Sequence, residues 1–104
     1  MTGLALLIAE AGGPRVALAL EAAAAAAALG ERVEVFLAGE GVRLVAPEAA
    51  APLATLRELG AGLHVCQTAL AASGIQASDL APEVAPSGLL SFLAGVRGFR
   101  LLLA

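Results

Sequence analysis

The fold is decided by the stretch Leu4–Ala38, which reads LALLIAEAGGPRVALALEAAAAAAALGERVEVFLA. Its first run, Leu4–Ala9, is continuously apolar and has the length of a strand that is covered on both faces. Pro14 suits the first turn of a helix, because the amide hydrogen that proline lacks has no partner there. Gly30 is placed to end that helix in the left-handed conformation, and the partly alternating run Arg32–Ala38 predicts a second strand. The stretch therefore predicts a β-α-β unit with parallel strands.

The helix of this unit runs from Pro14 to about Leu29 and is apolar apart from Arg15 and Glu21. A helix that is apolar all round is typical of a buried position, so we expect most of its surface to be covered. Its alanine tract, Ala22–Ala28, has small side chains that let the sheet and a neighbouring helix approach closely.

The rest of the chain continues to alternate short apolar runs with helical segments. A helical region runs from Val42 to about Leu59 and is interrupted by Pro47 and Pro52. A strand Leu63–Cys66 and a helix Gln67–Ser73 capped by Gly74 follow. The last predicted elements are a short strand within Pro82–Pro86, a helix to about Val96 with Ser87 as its N-cap, and a strand Gly98–Leu103. Strands that alternate with helices over short loops predict an α/β fold. We expect one domain over residues 1–104, in three layers, with a mostly parallel sheet of four or five strands and helices on both faces.

Composition and charge narrow the range of partners. Hydrophobic residues make up 60% of the chain and charged residues 14%, which excludes intrinsic disorder. So few charges leave apolar surface uncovered, and we expect another subunit to cover part of it. The net charge of −3, together with scattered arginines, argues against a nucleic-acid partner, because phosphate contacts supply most of that affinity.

The apolar runs are too short for a membrane segment. The N-terminal run ends at Glu10 and has no positive charge ahead of it, unlike a signal peptide. The longest later run, Ala22–Leu29, falls well below the roughly 20 residues that a membrane span requires. We therefore expect a cytoplasmic protein without a membrane partner.

Polar and flexible residues follow several of the predicted strands at their carboxyl ends, where open α/β sheets bind ligands. The candidate site residues at this edge are Gly12, Gly13, Gly39, Glu40, Gly41, Cys66, Gln67, Ser87 and Gly88. Cys66 alone among them is intrinsically reactive, and the amide groups of the helix that follows it favour a thiolate. The alternative is that Cys66 is a small buried hydrophobe, and that Glu40 is an ordinary solvated loop acid.

His64 precedes Cys66 by two residues, so both side chains leave the same face of the predicted strand. His64 is therefore a candidate to pair with the thiolate or to relay a proton. The spacing of about 6.5 Å along a strand leaves a hydrogen-bonded core histidine as the alternative. One cysteine and one histidine, without CxxC or HxxxH spacing, exclude a metal site. Gly39-Glu40-Gly41 lacks the third glycine of a dinucleotide fingerprint, since position 44 is Leu44, and we expect no cofactor.

Three segments in order along the chain resemble the DsrE/DsrF-like family of small sulfur-relay proteins. They are VEVFLAGEGV at Val33–Val42, VCQTALAASGI at Val65–Ile75, and VAPSG at Val84–Gly88 with the apolar helix and strand that follow. The resemblance implies a flavodoxin-like subunit that forms trimers, hexamers or hetero-oligomers. It also implies that Cys66 carries a persulfide and exchanges sulfur with thiol-bearing partner proteins, with His64 and Gln67 as candidate supports. The first loop of this chain is shorter than is usual in the family.

Two functional hypotheses follow from the sequence. In the first, the chain is a sulfur-relay protein that acts through Cys66. In the second, it is a non-catalytic oligomeric module that binds a ligand or a partner at the same edge, and Cys66 is structural. An accessible Cys66 favours the first hypothesis and a fully buried Cys66 favours the second.

Overall fold

Five parallel strands form one sheet in the computed structural model, which describes residues 3–104. The strands are Gly3–Ile8 (β1), Arg32–Leu37 (β2), Gly62–Cys66 (β3), Val84–Ser87 (β4) and Arg100–Leu103 (β5). The α-helices are Pro14–Ala28 (α1), Ala51–Glu58 (α2), Gln67–Ser73 (α3) and Leu89–Gly95 (α4), and short 3-10 turns span Gly39–Val45, Pro47–Ala49 and Ala77–Asp79. The predicted α/β fold with a parallel sheet is confirmed.

The strand order, β4-β3-β2-β1-β5, determines which face each helix covers. From β1 to β4 the chain steps across the sheet in one direction, so right-handed crossovers place α1, α2 and α3 on the same face. The step from β4 back to β5 runs in the opposite direction, and the same handedness places α4 on the other face. The predicted helices on both faces are confirmed, three on one side and one on the other.

The two faces have separate cores. The larger core joins α1, α2 and α3 to alternate residues of the sheet, among them Leu6, Val35 and Val65, whose side chains are fully buried. The smaller one, which we call the Phe92 cluster, consists of Ala5, Phe36, Phe92 and Val96. The Phe92 ring packs on that of Phe36, with centroids 5.1 Å apart. A single short helix therefore covers only part of the second face.

The expectation that α1 is mostly buried is wrong. Five of its fifteen residues are buried, in the stripe Val16, Ala19, Leu20, Ala23 and Ala26, whereas Leu18 is 67% exposed. α1 lies in an outer layer, so one stripe contacts the sheet and the opposite side has no further element over it. Ala23 and Ala26 belong to the alanine tract and pack into the larger core.

Two further predictions about local structure are wrong. Pro52 does not interrupt a helix but lies in the first turn of α2, where a missing amide hydrogen costs nothing. Ser87 is not the N-cap of α4. Because β4 continues through Ser87 to pair with β3, the N-cap position passes to Gly88, and the Ser87 hydroxyl makes no cap hydrogen bond. The predicted helix ends at Gly30 and Gly74 are confirmed, with φ of 90° and 82°.

No helix within residues 3–104 has both the length and the apolar character that crossing a membrane requires.

The turn after β2 lies directly against the end of β1. The Ala38 amide donates a hydrogen bond to the carbonyl of Ile8 at 2.8 Å. Gly41, buried in the turn that follows, is so close that a Cβ atom there would overlap the same Ile8 carbonyl oxygen. Gly39 and Gly41, predicted as ligand-binding residues, therefore belong to a turn in which the second glycine is required by packing.

We expect Gly41→Ala to lower the free energy of unfolding by about 3 kcal/mol, because the new methyl group meets backbone that cannot move away. Gly12→Ala is the matched control, since nothing lies within 4 Å of its Cβ position, and it should change stability by no more than about 0.5 kcal/mol. Urea unfolding followed by circular dichroism measures both. Equal stabilities of the two variants would contradict the close approach at Gly41.

Candidate functional site

Cys66 is the last residue of β3 and the N-cap residue of α3. Along β3 the side chains of Leu63 and Val65 enter the larger core, so alternation directs Gly62, His64 and Cys66 toward the α4 side. The Cys66 side chain is partly exposed and packs against the Phe92 cluster. Cys66 is therefore not fully buried, whereas the hypothesis of a purely structural cysteine predicts full burial.

The structure brings Ser87 beside Cys66. The two residues are partners in the β3–β4 register, about 4.8 Å apart across the parallel pair, and both end their strands. The Ser87 hydroxyl donates to the carbonyl of Gly88 at 3.3 Å. α3 spans only seven residues, so its dipole is short.

His64 is held by Glu34, a residue that the sequence analysis did not single out. The Nε2 atom of His64 lies 2.7 Å from Oε1 of Glu34, and the two side chains are 27% and 17% exposed. The Phe92 ring packs against the imidazole in a T-shaped arrangement, with ring centroids 5.2 Å apart and an interplanar angle of 67°. His64 is therefore a half-buried histidine that is hydrogen-bonded to Glu34. Its side chain lies on the same face of the sheet as that of Cys66.

Gly62 makes this contact possible. In the β2–β3 register Glu34 pairs with Gly62, and Phe36 pairs with His64. A Cβ atom on residue 62 would overlap the Glu34 carboxylate. Because Gly62 leaves that space free, the Glu34 carboxylate lies over the backbone of β3 and reaches His64, the next residue of β3 on the same face.

Arg32 contacts the Glu34 carboxylate as well, through the oxygen that His64 does not contact. Its Nη2 atom lies 3.4 Å from Oε2 of Glu34, and its guanidinium group lies over the ring of Phe99 at 5.2 Å from the centroid. Arg32, Glu34 and His64 thus form a row, which we call the charged row, on the α4 side of the sheet. The Arg32 side chain is 63% exposed, so its ion pair contributes little to stability.

One sequence signal for Glu34 was available. Glu34 stands between Val33 and Val35 in the run predicted to be the second strand, and a carboxylate on a strand that helices cover needs a partner. The partner is the one histidine of the chain, thirty residues further on. Finding it requires the register between β2 and β3, which local sequence does not contain.

The remaining predicted site residues also lie at the carboxyl edge of the sheet. Glu40 forms an exposed ion pair with Arg43 at 2.8 Å, and both border a small cavity of about 110 Å³ between the turn after β2 and α3. Gly12 and Gly13 follow β1, two strands away from β3. Gly88 precedes α4.

Gln67 borders a wider, open groove of about 500 Å³. This groove is lined by Gln67, Leu70, Ala71, Gly74, Ile75, Gln76, Ala77 and Pro86. It lies between α3 and the edge strand β4, and Cys66 does not line it. Within residues 3–104, no three His, Cys, Asp or Glu side chains come together in a way that would hold a metal ion.

We expect neutral His64 to carry its proton on Nε2, because the ionised Glu34 only accepts hydrogen bonds. Gly62→Ala should displace the carboxylate and turn this single tautomer into a mixture. Long-range ¹H–¹⁵N correlation spectra measure the tautomer, and the one histidine of the chain makes the assignment unambiguous. Gly95→Ala, where nothing lies within 4 Å, is the control. An unchanged spectrum for Gly62→Ala would contradict the role given to Gly62.

Comparison with known proteins gives two kinds of match. The model of the DsrE/DsrF-like family matches residues 4–95. Two solved structures each align over 100% of both chains: the MTH1491 protein of Methanobacterium thermoautotrophicum, a protein of unknown function, with a TM-score of 0.79 and 24% identity, and the ychN protein of E. coli, with a TM-score of 0.83 and 15% identity. At these identities the structures show a shared fold. A search of the curated proteins found no match.

Proposed function

Because the chain belongs to the DsrE/DsrF-like family, we propose that it is a sulfur-relay protein that holds sulfane sulfur as a persulfide on Cys66. The observation that carries the proposal is the position of this one thiol. It lies at the carboxyl end of β3, partly exposed, next to the Phe92 cluster and on the same face as the charged row. A thiol in such a place is accessible to a sulfur donor and sheltered on one side from solvent.

The proposed chemistry is thiol exchange on a sulfane sulfur. The Cys66 thiolate attacks the outer sulfur of a donor persulfide, a new S–S bond forms, the donor S–S bond breaks, and the donor thiolate leaves. Attack by an acceptor thiolate on the outer sulfur of the Cys66 persulfide then restores the free thiolate. The bond formed and the bond broken are of the same kind, so no oxidant, reductant or cofactor is consumed.

The partners in this proposal are thiol-bearing proteins of a reducing compartment such as the cytosol, where free cysteines persist. A structural role for Cys66 is the competing proposal, and the partial exposure of the residue speaks against it. The proposals differ in whether a donor can reach the sulfur atom in the folded protein.

We expect the reduced protein to gain ~32 Da, one sulfur atom, when it is incubated with inorganic polysulfide as a persulfide donor. Dithiothreitol should remove the added mass. Intact-protein mass spectrometry measures both steps, and Cys66→Ser is the control that should gain nothing. With a single cysteine in the chain, the mass change reports on one site.

Two outcomes would contradict sulfur relay through Cys66. One is the absence of any adduct on a folded protein whose thiol also resists iodoacetamide. The other is an equal gain of mass by Cys66→Ser. Either result would favour the oligomeric binding module with a structural cysteine.

We also propose that copies of this chain associate through the α4 side of the sheet. Large apolar side chains remain exposed there: Leu89 (49%), Leu90 (85%) and Leu93 (37%) on α4, and Leu101 (53%) and Leu103 (64%), which pair with Ala5 and Leu7 on the same face. Single exposed leucines are common on monomers. Five on one side of a 104-residue chain are typical of a surface that another subunit covers.

We expect Leu90→Glu to lower the mass of the assembly, because a carboxylate in a subunit interface loses its hydration without gaining a partner. Light scattering coupled to size-exclusion chromatography measures the mass. Leu29→Glu is the matched control, since Leu29 is 81% exposed just after α1, on the opposite side of the sheet. A monomeric wild-type chain, or equal effects of the two substitutions, would contradict this interface.

A further inference from the structure

We propose that His64, held in place by Glu34, is the acid that protonates the thiolate leaving the sulfur donor at Cys66. This inference deepens the proposed function and rests on it, because it assumes that Cys66 attacks sulfur–sulfur bonds. In this proposal His64 is a catalytic residue, since it contacts the leaving sulfur. Glu34 is a positioning residue that acts through His64.

The geometry fixes one nitrogen of the imidazole and leaves the other available. Nε2 of His64 is 2.7 Å from the Glu34 carboxylate, which accepts its hydrogen bond. The Phe92 ring holds one flank of the imidazole at 5.2 Å. Nδ1 has no protein hydrogen-bond partner within the described part of the chain, and the side chain is 27% exposed. The free nitrogen is therefore available to a substrate.

The spacing between His64 and Cys66 suits a substrate atom better than a direct contact. The Cα atoms of residues two positions apart along a strand are separated by about 6.6 Å. In thiol exchange the leaving sulfur lies two S–S bonds from the attacking sulfur, or about 4 Å when each bond is about 2.05 Å. A leaving sulfur directed along β3 toward His64 would thus come within hydrogen-bond reach of the ring. His64 and Cys66 share no hydrogen bond within the described residues, and we place the leaving sulfur between their side chains.

Glu34 is the charged side chain that contacts His64. β2 supplies Glu34, with Arg32 behind it on the far side of the carboxylate. α4 supplies no titratable side chain, since it reads LLSFLAG, and the neighbouring position on β4 is Ala85. On β3 the other titratable group is Cys66. The nearest charged group is thus the Glu34 carboxylate, which holds the imidazole through its Nε2 atom.

The step balances without another reagent. His64 takes up a proton from solvent at Nδ1, the Cys66 thiol gives its proton to solvent, and the thiolate attacks the outer sulfur of the donor. The new S–S bond forms as the donor bond breaks, and the electron pair of that bond stays on the donor sulfur. The imidazolium gives its proton to this sulfur, so a neutral thiol leaves and His64 returns to its starting state.

The test uses two small disulfides that differ in how much the leaving sulfur needs a proton. Bis(2-hydroxyethyl) disulfide releases a basic alkyl thiolate, whereas 4,4′-dithiodipyridine releases a stabilised aromatic one. Low-pKa thiolates leave readily unprotonated. We expect His64→Gln to slow the reaction of Cys66 with the alkyl disulfide at least about tenfold and to change the rate with the aromatic disulfide by less than about twofold.

Two more variants separate a chemical role from a structural one. Glu34→Gln keeps the histidine but removes the carboxylate that holds its Nε2 atom, so it should show the same alkyl-selective loss to a smaller extent. His64→Ala should recover rate with the alkyl disulfide when imidazole is added to the buffer. Glu83→Gln, which removes an ion pair with Arg57 of α2, is the control and should react like the wild type with both disulfides.

The proposal is overturned if His64→Gln slows both disulfides equally, if it slows neither, or if Cys66 reacts with neither disulfide in the folded protein. Disulfide exchange involves no sulfane sulfur. A protein that shows the alkyl-selective loss but gains no sulfur from polysulfide would therefore contradict the sulfur-relay function and leave the role of His64 in thiol exchange intact. The opposite combination would contradict His64 alone.

Discussion

The right-handedness of β-α-β crossovers is the constraint from which the arrangement of this molecule follows. The strands β1 to β4 follow one another in one direction across the sheet, so α1, α2 and α3 lie on one face. The connection back to β5 runs in the opposite direction, so α4 alone lies on the other face. That second face is only partly covered. It can therefore hold a charged row, which a complete helical layer would bury at a high cost in free energy, and it leaves Cys66 and several leucines partly exposed.

Within that face the site depends on a small residue in the right register. Glu34 reaches His64 because Gly62 has no side chain to occupy the space between them. Phe92 then closes one flank of the imidazole while it fills the core between sheet and helix. The same contacts that bury apolar area thus orient a polar group. A half-buried hydrogen bond of this kind has fewer alternative geometries than one between exposed side chains.

Sequence reasoning succeeded where a structural signal is local. The helix Gln67–Ser73 was predicted with its observed bounds, because a strand end, an alanine-rich run and Gly74 follow one another directly. It failed for the burial of α1, whose uniform alanine and leucine content hides which stripe meets the sheet. It failed also for Ser87, where pairing with β3 extends the strand and displaces the helix start by one residue.

The order of strands and helices along the chain, the parallel α/β class and the position of Cys66 at a strand end can be read from the residues alone, since these follow from periodicity, glycine and proline. The contact between Glu34 and His64, the place of Ser87 beside Cys66 and the single helix on one face are visible only in the folded chain. The physical reason is that these contacts depend on strand register and crossover direction. Both are set by packing between segments far apart in the chain, and neither leaves a local trace in the sequence.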